Sequence, residues 1–300
     1  MITASACAKT ILFGEHAVVY GEPAIAVPLV NTRTTAELIP NEGTFLVVSD
    51  KIGLRAAFDE LPKESGIRHL LLGIMEETGL SELPPLTLKI SSDIPIASGL
   101  GSGAALSAAV IRAFARFYGR EPDTETVNRM VYEIEKVYHG TPSGIDNTVI
   151  VYEQPVIFTK GSGFTPLEAD LSAFPLLVAD SGIRSRTVEV VSDVRNHFDR
   201  NEPYIRKIGD LVREAETALT GGDLSQTGRL MNENQKLLKQ IDVSCPELDE
   251  LITLAIKNGA YGAKLTGAGR GGNFIVLCKD PLHANSLKTL YKERGVHVIL

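Results

Sequence analysis

The chain has 300 residues, 44% hydrophobic and 22% charged, which is enough apolar material for one large globular domain or two ordinary ones. Its formal net charge of −7 argues against a broad nucleic-acid-binding surface but leaves room for a local basic pocket around an anionic ligand. No apolar run reaches the length of a membrane span, Lys9 and Glu15 come too early for a secretion signal, and Cys7, Cys245 and Cys278 lack metal-site spacing. The cysteines read as small buried apolar side chains, and the expected compartment is the cytoplasm.

Hydrophobic periodicity predicts strands over 3–8, 24–31 and 33–39 around a turn-rich centre from Gly14 to Pro23, then strands over 44–49 and 86–92. A helix is expected over 66–79, and another over 102–118 with a stripe of Leu106, Ala109, Val110, Ala113 and Phe117. Asp123 is placed to cap a helix over 124–138, and Gly140 to stop it. In the second half, strands are predicted over 156–159, 175–180, 262–266, 273–278 and 296–299. Helices are predicted over 187–198, 204–219, 223–240, 246–258 and 281–293. The alternation makes the fold class α/β and α+β in two halves, with the junction between 150 and 185.

Five segments carry polar chemistry. Pro95-Ile-Ala-Ser-Gly-Leu-Gly-Ser-Gly-Ala-Ala105 places three glycines directly before an apolar helix. Such a backbone can wrap an anion with its N–H groups while the helix dipole faces it, although glycines also serve tight turns. Lys9 lies in an apolar strand ahead of Gly14-Glu15-His16; it is either paired with an anion or a strand-edge lysine reaching solvent. Glu135 and His139 share one helix face, and beyond Gly140 and Pro142 the carboxylate of Asp146 arrives on a short turn, as a general base or as an Asx turn. Asp180–Thr187 suits a small polar substrate, or Ser185 or Thr187 only caps the next helix. Lys264–Gly272 is a second Gly-rich turn, a clamp on polyphosphate or a flexible hairpin connection.

Together Lys9–Gly21, Pro95–Ala105, Glu135–Asp146 and Lys264–Gly272 resemble the GHMP kinase superfamily, most closely the short archaeal and bacterial members that phosphorylate mevalonate. The resemblance implies a two-domain GHMP kinase fold: a ribosomal-protein-S5-domain-2-like domain over 1–165 and a ferredoxin-like domain over 166–300. It implies transfer of the ATP γ-phosphoryl group to the 5-hydroxyl of mevalonate, with Mg²⁺. Under it Asp146 is the proton acceptor and Lys9 its partner, while Glu15, His16 and Thr187 contact mevalonate. Ser92, Pro95, Ser98, Gly99, Leu100, Gly101, Ser102, Gly103 and Ala104 contact the nucleotide, and Glu135 and Ser102 hold Mg²⁺. ATP and mevalonate are the expected partners, with no nucleic acid, no membrane, and a homodimer as the state frequent in the family. Kinases for phosphomevalonate, homoserine or sugars, and a non-catalytic sensor, are the alternatives.

Two positions depart from the family's pattern. Gly103 stands where many members carry a serine whose hydroxyl binds Mg²⁺, and Arg270 stands where glycine is common; the arginine touches phosphate or points to solvent. Restoring the oxygen with Gly103→Ser is expected to lower the Mg²⁺ concentration at half-maximal turnover. Superimposable Mg²⁺ titrations of the two proteins would refute this.

Overall fold

The computed structural model describes residues 1–95, 99–140, 142–171 and 174–300. They form two compact units, Met1–Lys9 with Pro28–Glu153, and Thr10–Val27 with Gln154–Leu300. Strands β1 (Ile2–Phe13) and β2 (Pro23–Pro40) each contribute residues to both. β2 is one continuous strand where two were expected, joined through the buried Thr32, and β1 runs on to Phe13 along an unbroken buried run.

In the first unit β3 (Leu46–Ser49) pairs antiparallel with β4 (Leu54–Ala57) and parallel with β5 (Leu86–Ser92), and β5 pairs antiparallel with the C-terminal half of β2. The helices are α1 (Gly66–Thr78), α2 (Ser102–Phe117), α3 (Thr124–His139) and α4 (Ile145–Tyr152). The expected stripe on α2 is correct at its centre, where Ala109, Val110 and Ala113 are buried, but Ala104, Ala105 and Ala108 are equally so. These small side chains let α3 and α4 pack close against α2. Asp123 caps α3 as expected, its Oδ1 accepting from the Thr126 N–H at 2.8 Å. β4 and α4 carry too few residues for a clear period, and neither was predicted. Asp146 therefore lies in the first turn of a helix rather than on a short turn.

In the second unit β6 (Val156–Thr159) pairs with the N-terminal end of β2 and with β7 (Gly163–Pro166). After β8 (Leu176–Asp180) come α5 (Thr187–Asn196), α6 (Phe198–Thr220), α7 (Leu224–Gln240) and α8 (Pro246–Lys257). β9 (Gly262–Leu265), β10 (Asn273–Leu277), α9 (Pro281–Glu293) and β11 (His297–Val298) complete the chain. α6 begins six residues before the expected start, with Pro203 inside its second turn. The antiparallel sheet order β11-β8-β10-β9 is the 4-1-3-2 order of a ferredoxin-like βαββαβ unit. Cys7 and Cys278 are buried as expected, but Cys245 is only half-buried, at the N-cap of α8. Among the described residues no helix is long and apolar enough to cross a membrane.

β9 is an edge strand, and α7 covers it. Asn232 donates to Tyr261 O at 3.1 Å and accepts from the Ala263 N–H at 3.0 Å, while Gln235 Oε1 accepts from the Leu265 N–H at 3.0 Å. The unpaired side of the strand is thereby satisfied by side chains, which also holds the Gly-rich turn that follows. Asn232→Leu strands two of these backbone groups and is expected to cost about 1–3 kcal/mol. Denaturant unfolding reads this directly, and an unchanged midpoint would count against the capping role.

Candidate active site

The first unit brings Lys9, Asp146, Glu135 and the Gly99–Ser102 loop together. Lys9 is 3% exposed and its Nζ lies 2.9 Å from Asp146 Oδ1, which removes the strand-edge alternative. The Asp146 side chain is 31% exposed, so the carboxylate that neutralises the buried ammonium still faces solvent. The Lys9 N–H donates to Leu100 O at 3.1 Å, tying β1 to the loop. Gly101 is the N-cap of α2 at φ +74° and provides no side-chain cap, so the first N–H groups of α2 remain available to a ligand. A Cβ there would stand 2.5 Å from Ile150 Cδ1 and 3.2 Å from Lys9 Cγ, and with the positive φ this makes any other residue strained. Ser102 and Gly103 follow as the first helical residues, and Ala104 and Leu100 are buried.

Glu135, on the last turns of α3, is 3% exposed. Burial, reinforced by the charge of Asp146 and opposed by Lys9, pushes its carboxyl up to about 8. Among the described residues no cluster of three or more His, Cys, Asp or Glu side chains could hold a metal ion. Ser92 is half-buried, its hydroxyl hydrogen-bonded to Thr34 Oγ1 at 2.7 Å and accepting from the Ile94 N–H at 3.2 Å. Pro95 is half-buried; Ser98 and the side chain of His139 lie outside what is described. The sequence reading passed over Lys51, whose ammonium donates to Ser92 O at 2.8 Å and Ile94 O at 2.7 Å, at the entry to the loop. A lysine on an exposed turn forty residues upstream carries no local signal for that role.

The second unit gathers Glu15, His16 and the Lys264–Gly272 turn. Glu15 and Lys264 form an ion pair in which both side chains are wholly buried, and Lys264 Nζ also donates to Leu265 O at 2.7 Å. Burial lowers the Lys264 ammonium pKa, and Glu15 partly restores it. His16, at φ +61°, bonds through Nε2 to Ala268 O at 2.8 Å; since a carbonyl only accepts, Nε2 carries the proton. Burial, only partly offset by this hydrogen bond, pushes the imidazole down to about 4. Thr266 accepts from the Ile11 N–H at 3.2 Å and its hydroxyl lies 3.0 Å from that of Thr10.

The second Gly-rich turn is shaped by packing. A Cβ on Gly269 would fall 2.0 Å from Val243 O, and Ser185 Oγ donates to Gly269 O at 2.6 Å. Arg270 is tied within its own unit: Nε donates to Asp242 O at 2.8 Å, and Nη1 pairs with the Asp193 carboxylate on α5. Neither Ser185 nor Thr187 caps α5, whose N-cap is Arg186; Thr187 is the first helical residue and is exposed.

Comparison with known proteins shows the family to which the chain belongs. The family model described as GHMP kinases N terminal domain matches residues 66–154, and GHMP kinases C terminal matches 212–296. The chain is 35% identical to the mevalonate kinase of Thermococcus onnurineus, over 93% of this chain and 90% of that protein, and 35% identical to that of Pyrococcus horikoshii, over 92% and 88%. Among solved structures, the Methanococcus jannaschii mevalonate kinase superposes with a TM-score of 0.87 at 26% identity, covering 99% of this chain and 96% of that one. The L. major mevalonate kinase in complex with R-mevalonate gives 0.81 at 30% identity, over 97% and 91%. The fold and its motifs are those of a GHMP kinase, a phosphotransferase that uses ATP. Within that class the chain belongs to the mevalonate kinase family.

The neutral imidazole of His16 has a consequence for stability. Its folded value, about 4, lies below the usual 6.5, so its stabilising contribution is complete above pH 6.5 and is lost as the pH falls toward 4. The full loss amounts to about 3 kcal/mol. His16→Asn, which tolerates positive φ, is expected to flatten this part of the stability–pH curve. Urea unfolding of both proteins at pH 7 and 4.5 measures it, and equal acid sensitivity would contradict the assignment.

Proposed function

We propose that this chain catalyses transfer of the γ-phosphoryl group of ATP to the 5-hydroxyl of mevalonate. The observation that carries the reading is the Lys9–Asp146 ion pair at 2.9 Å beside the uncapped N-terminus of α2. Asp146 accepts the proton of the attacking hydroxyl, whose oxygen forms the new bond to phosphorus as ADP leaves with the bridging electrons. Lys9 places positive charge where alkoxide character develops. Pro95, Ser98 and the segment Gly99–Ala104 cradle the nucleotide phosphates, with Ser92 at the edge of that site. His16 and Thr187 contact mevalonate together with Glu15, whose carboxylate Lys264 holds in place.

Glu135 and Ser102 suit Mg²⁺. A buried carboxyl pushed up to about 8 regains its ionised form beside a divalent cation, and Mg²⁺ commonly takes only one or two protein oxygens besides phosphate and water. When bound, the cation neutralises charge on the transferring phosphates. The domain assignment that accompanies this reading is 1–165 for the phosphate-binding half and 166–300 for the other. A cytoplasmic location and a homodimer are part of the same reading.

Asp146→Asn is expected to retain ATP binding while kcat falls by about 10²–10⁴-fold, the usual share of a general base. ADP release across a panel of mevalonate, phosphomevalonate, homoserine and galactose should favour mevalonate. Wild-type protein that binds ATP and turns over none of these would be a sensor instead.

A further inference from the structure

Helix α4 carries Asp146 in its first turn, and the opposite end of this helix is bound by a second ionic network that the reaction does not use. Glu153, the residue that ends α4, accepts from Arg33 at both carboxylate oxygens, Nη1 to Oε2 at 3.0 Å and Nη2 to Oε1 at 2.9 Å. Arg112, in the middle of α2, donates from Nη1 to the same Oε1 at 2.8 Å and from Nη2 to Val151 O at 2.8 Å. Both guanidiniums continue to Ser5 on β1, Arg33 Nε to Ser5 Oγ at 3.0 Å and Arg112 Nη1 to Ser5 O at 2.9 Å.

Ser5 and Lys9 are four residues apart on β1, hence on one face and about 13 Å apart. Asp146 and Glu153 are seven apart on the helix side, about 10 Å. The helix is thus docked on the strand at two points: Asp146 to Lys9 at one end, and Glu153 to Ser5 through two arginines at the other. Arg112 also belongs to α2, the helix that begins at the Gly-rich loop. Glu153 itself sits at φ +49°, a left-handed conformation that glycine or asparagine adopts more readily.

We propose that Arg33, Glu153 and Arg112 are positioning residues that set the axial position of α4 and thereby hold Asp146 against Lys9. The proposal rests on the reading of Asp146 as the base. A single carboxylate shared by planar forks from β2 and α2 fixes distance and direction together, which a point charge would not do. The network borders a groove of about 510 Å³, and its side chains are 22–30% exposed, so it is bound to the surface of the unit rather than to its core. Its loss is expected to move α4 without unfolding the unit.

The test compares Glu153→Gln, Arg112→Met and the double variant with Arg116→Met, one turn further along α2 and bonded to Thr3 O instead. Rates are normalised to folded protein by near-ultraviolet circular dichroism. Glu153→Gln and Arg112→Met are each expected to lower kcat about tenfold, since small misplacements of a reacting group cost rate. KM for ATP should change less than twofold, and the double variant should be no slower than the slower single one. Arg116→Met should match wild type. Unchanged kcat in either single variant, multiplying losses in the double, or an equal loss in Arg116→Met would overturn the proposal. Asp146→Asn separates the two questions: full turnover in that variant refutes the base itself, whatever Glu153 does.

Discussion

A buried ammonium must be neutralised, and around Lys9 the first unit is arranged to do this. An isolated charge at 3% exposure would cost several kcal/mol. The cost is offset by Asp146, which is itself held in the first turn of α4. That pairing requires β1 to run beside α4 and the Gly-rich loop to cross Lys9 closely, so that a side chain at 101 would be strained. The groups that would act on a hydroxyl and the groups that would hold phosphate are consequently parts of one packing arrangement.

The second unit follows the same logic with a different pair. Glu15 and Lys264 are fully buried, and such pairs seldom stabilise a fold relative to apolar residues of similar volume. Their value lies in orientation: they pin the turn that carries His16 to β9, while α7 satisfies the outer edge of that strand. Arg270 adds a strut from the Gly-rich turn after β9 to α5. The second Gly-rich segment, for which the sequence left a phosphate clamp or a flexible hairpin connection open, braces the turn that carries Glu15 and His16.

Much of this was legible beforehand, and the reasons differ by element. Long amphipathic segments such as α2, α3 and α7 reveal themselves because a 3.6-residue period accumulates over many residues. The cap at Asp123 and the strands β5 and β6 were equally clear. α4 was not, because eight residues after a glycine hold too little period to distinguish a helix from a turn. Lys9 stood out as a charge in an apolar strand and Asp146 as a carboxylate after a rigid break, while Glu135 gained its metal role only through the family resemblance. Lys51, Glu153 and the pairing of Lys264 with Glu15 did not, because each depends on a partner forty to two hundred and fifty residues away.

The linear chain by itself determined which residues can carry charge, where glycine frees the backbone, and which segments bury one face. These are local properties, set by side-chain chemistry and period. Only the tertiary structure decided which charge meets which: that Lys9 faces Asp146, that Lys264 faces Glu15, and that Arg270 turns to Asp193 rather than to solvent. Ion pairs act over a few ångströms, and long-range packing alone brings such distant residues within that reach.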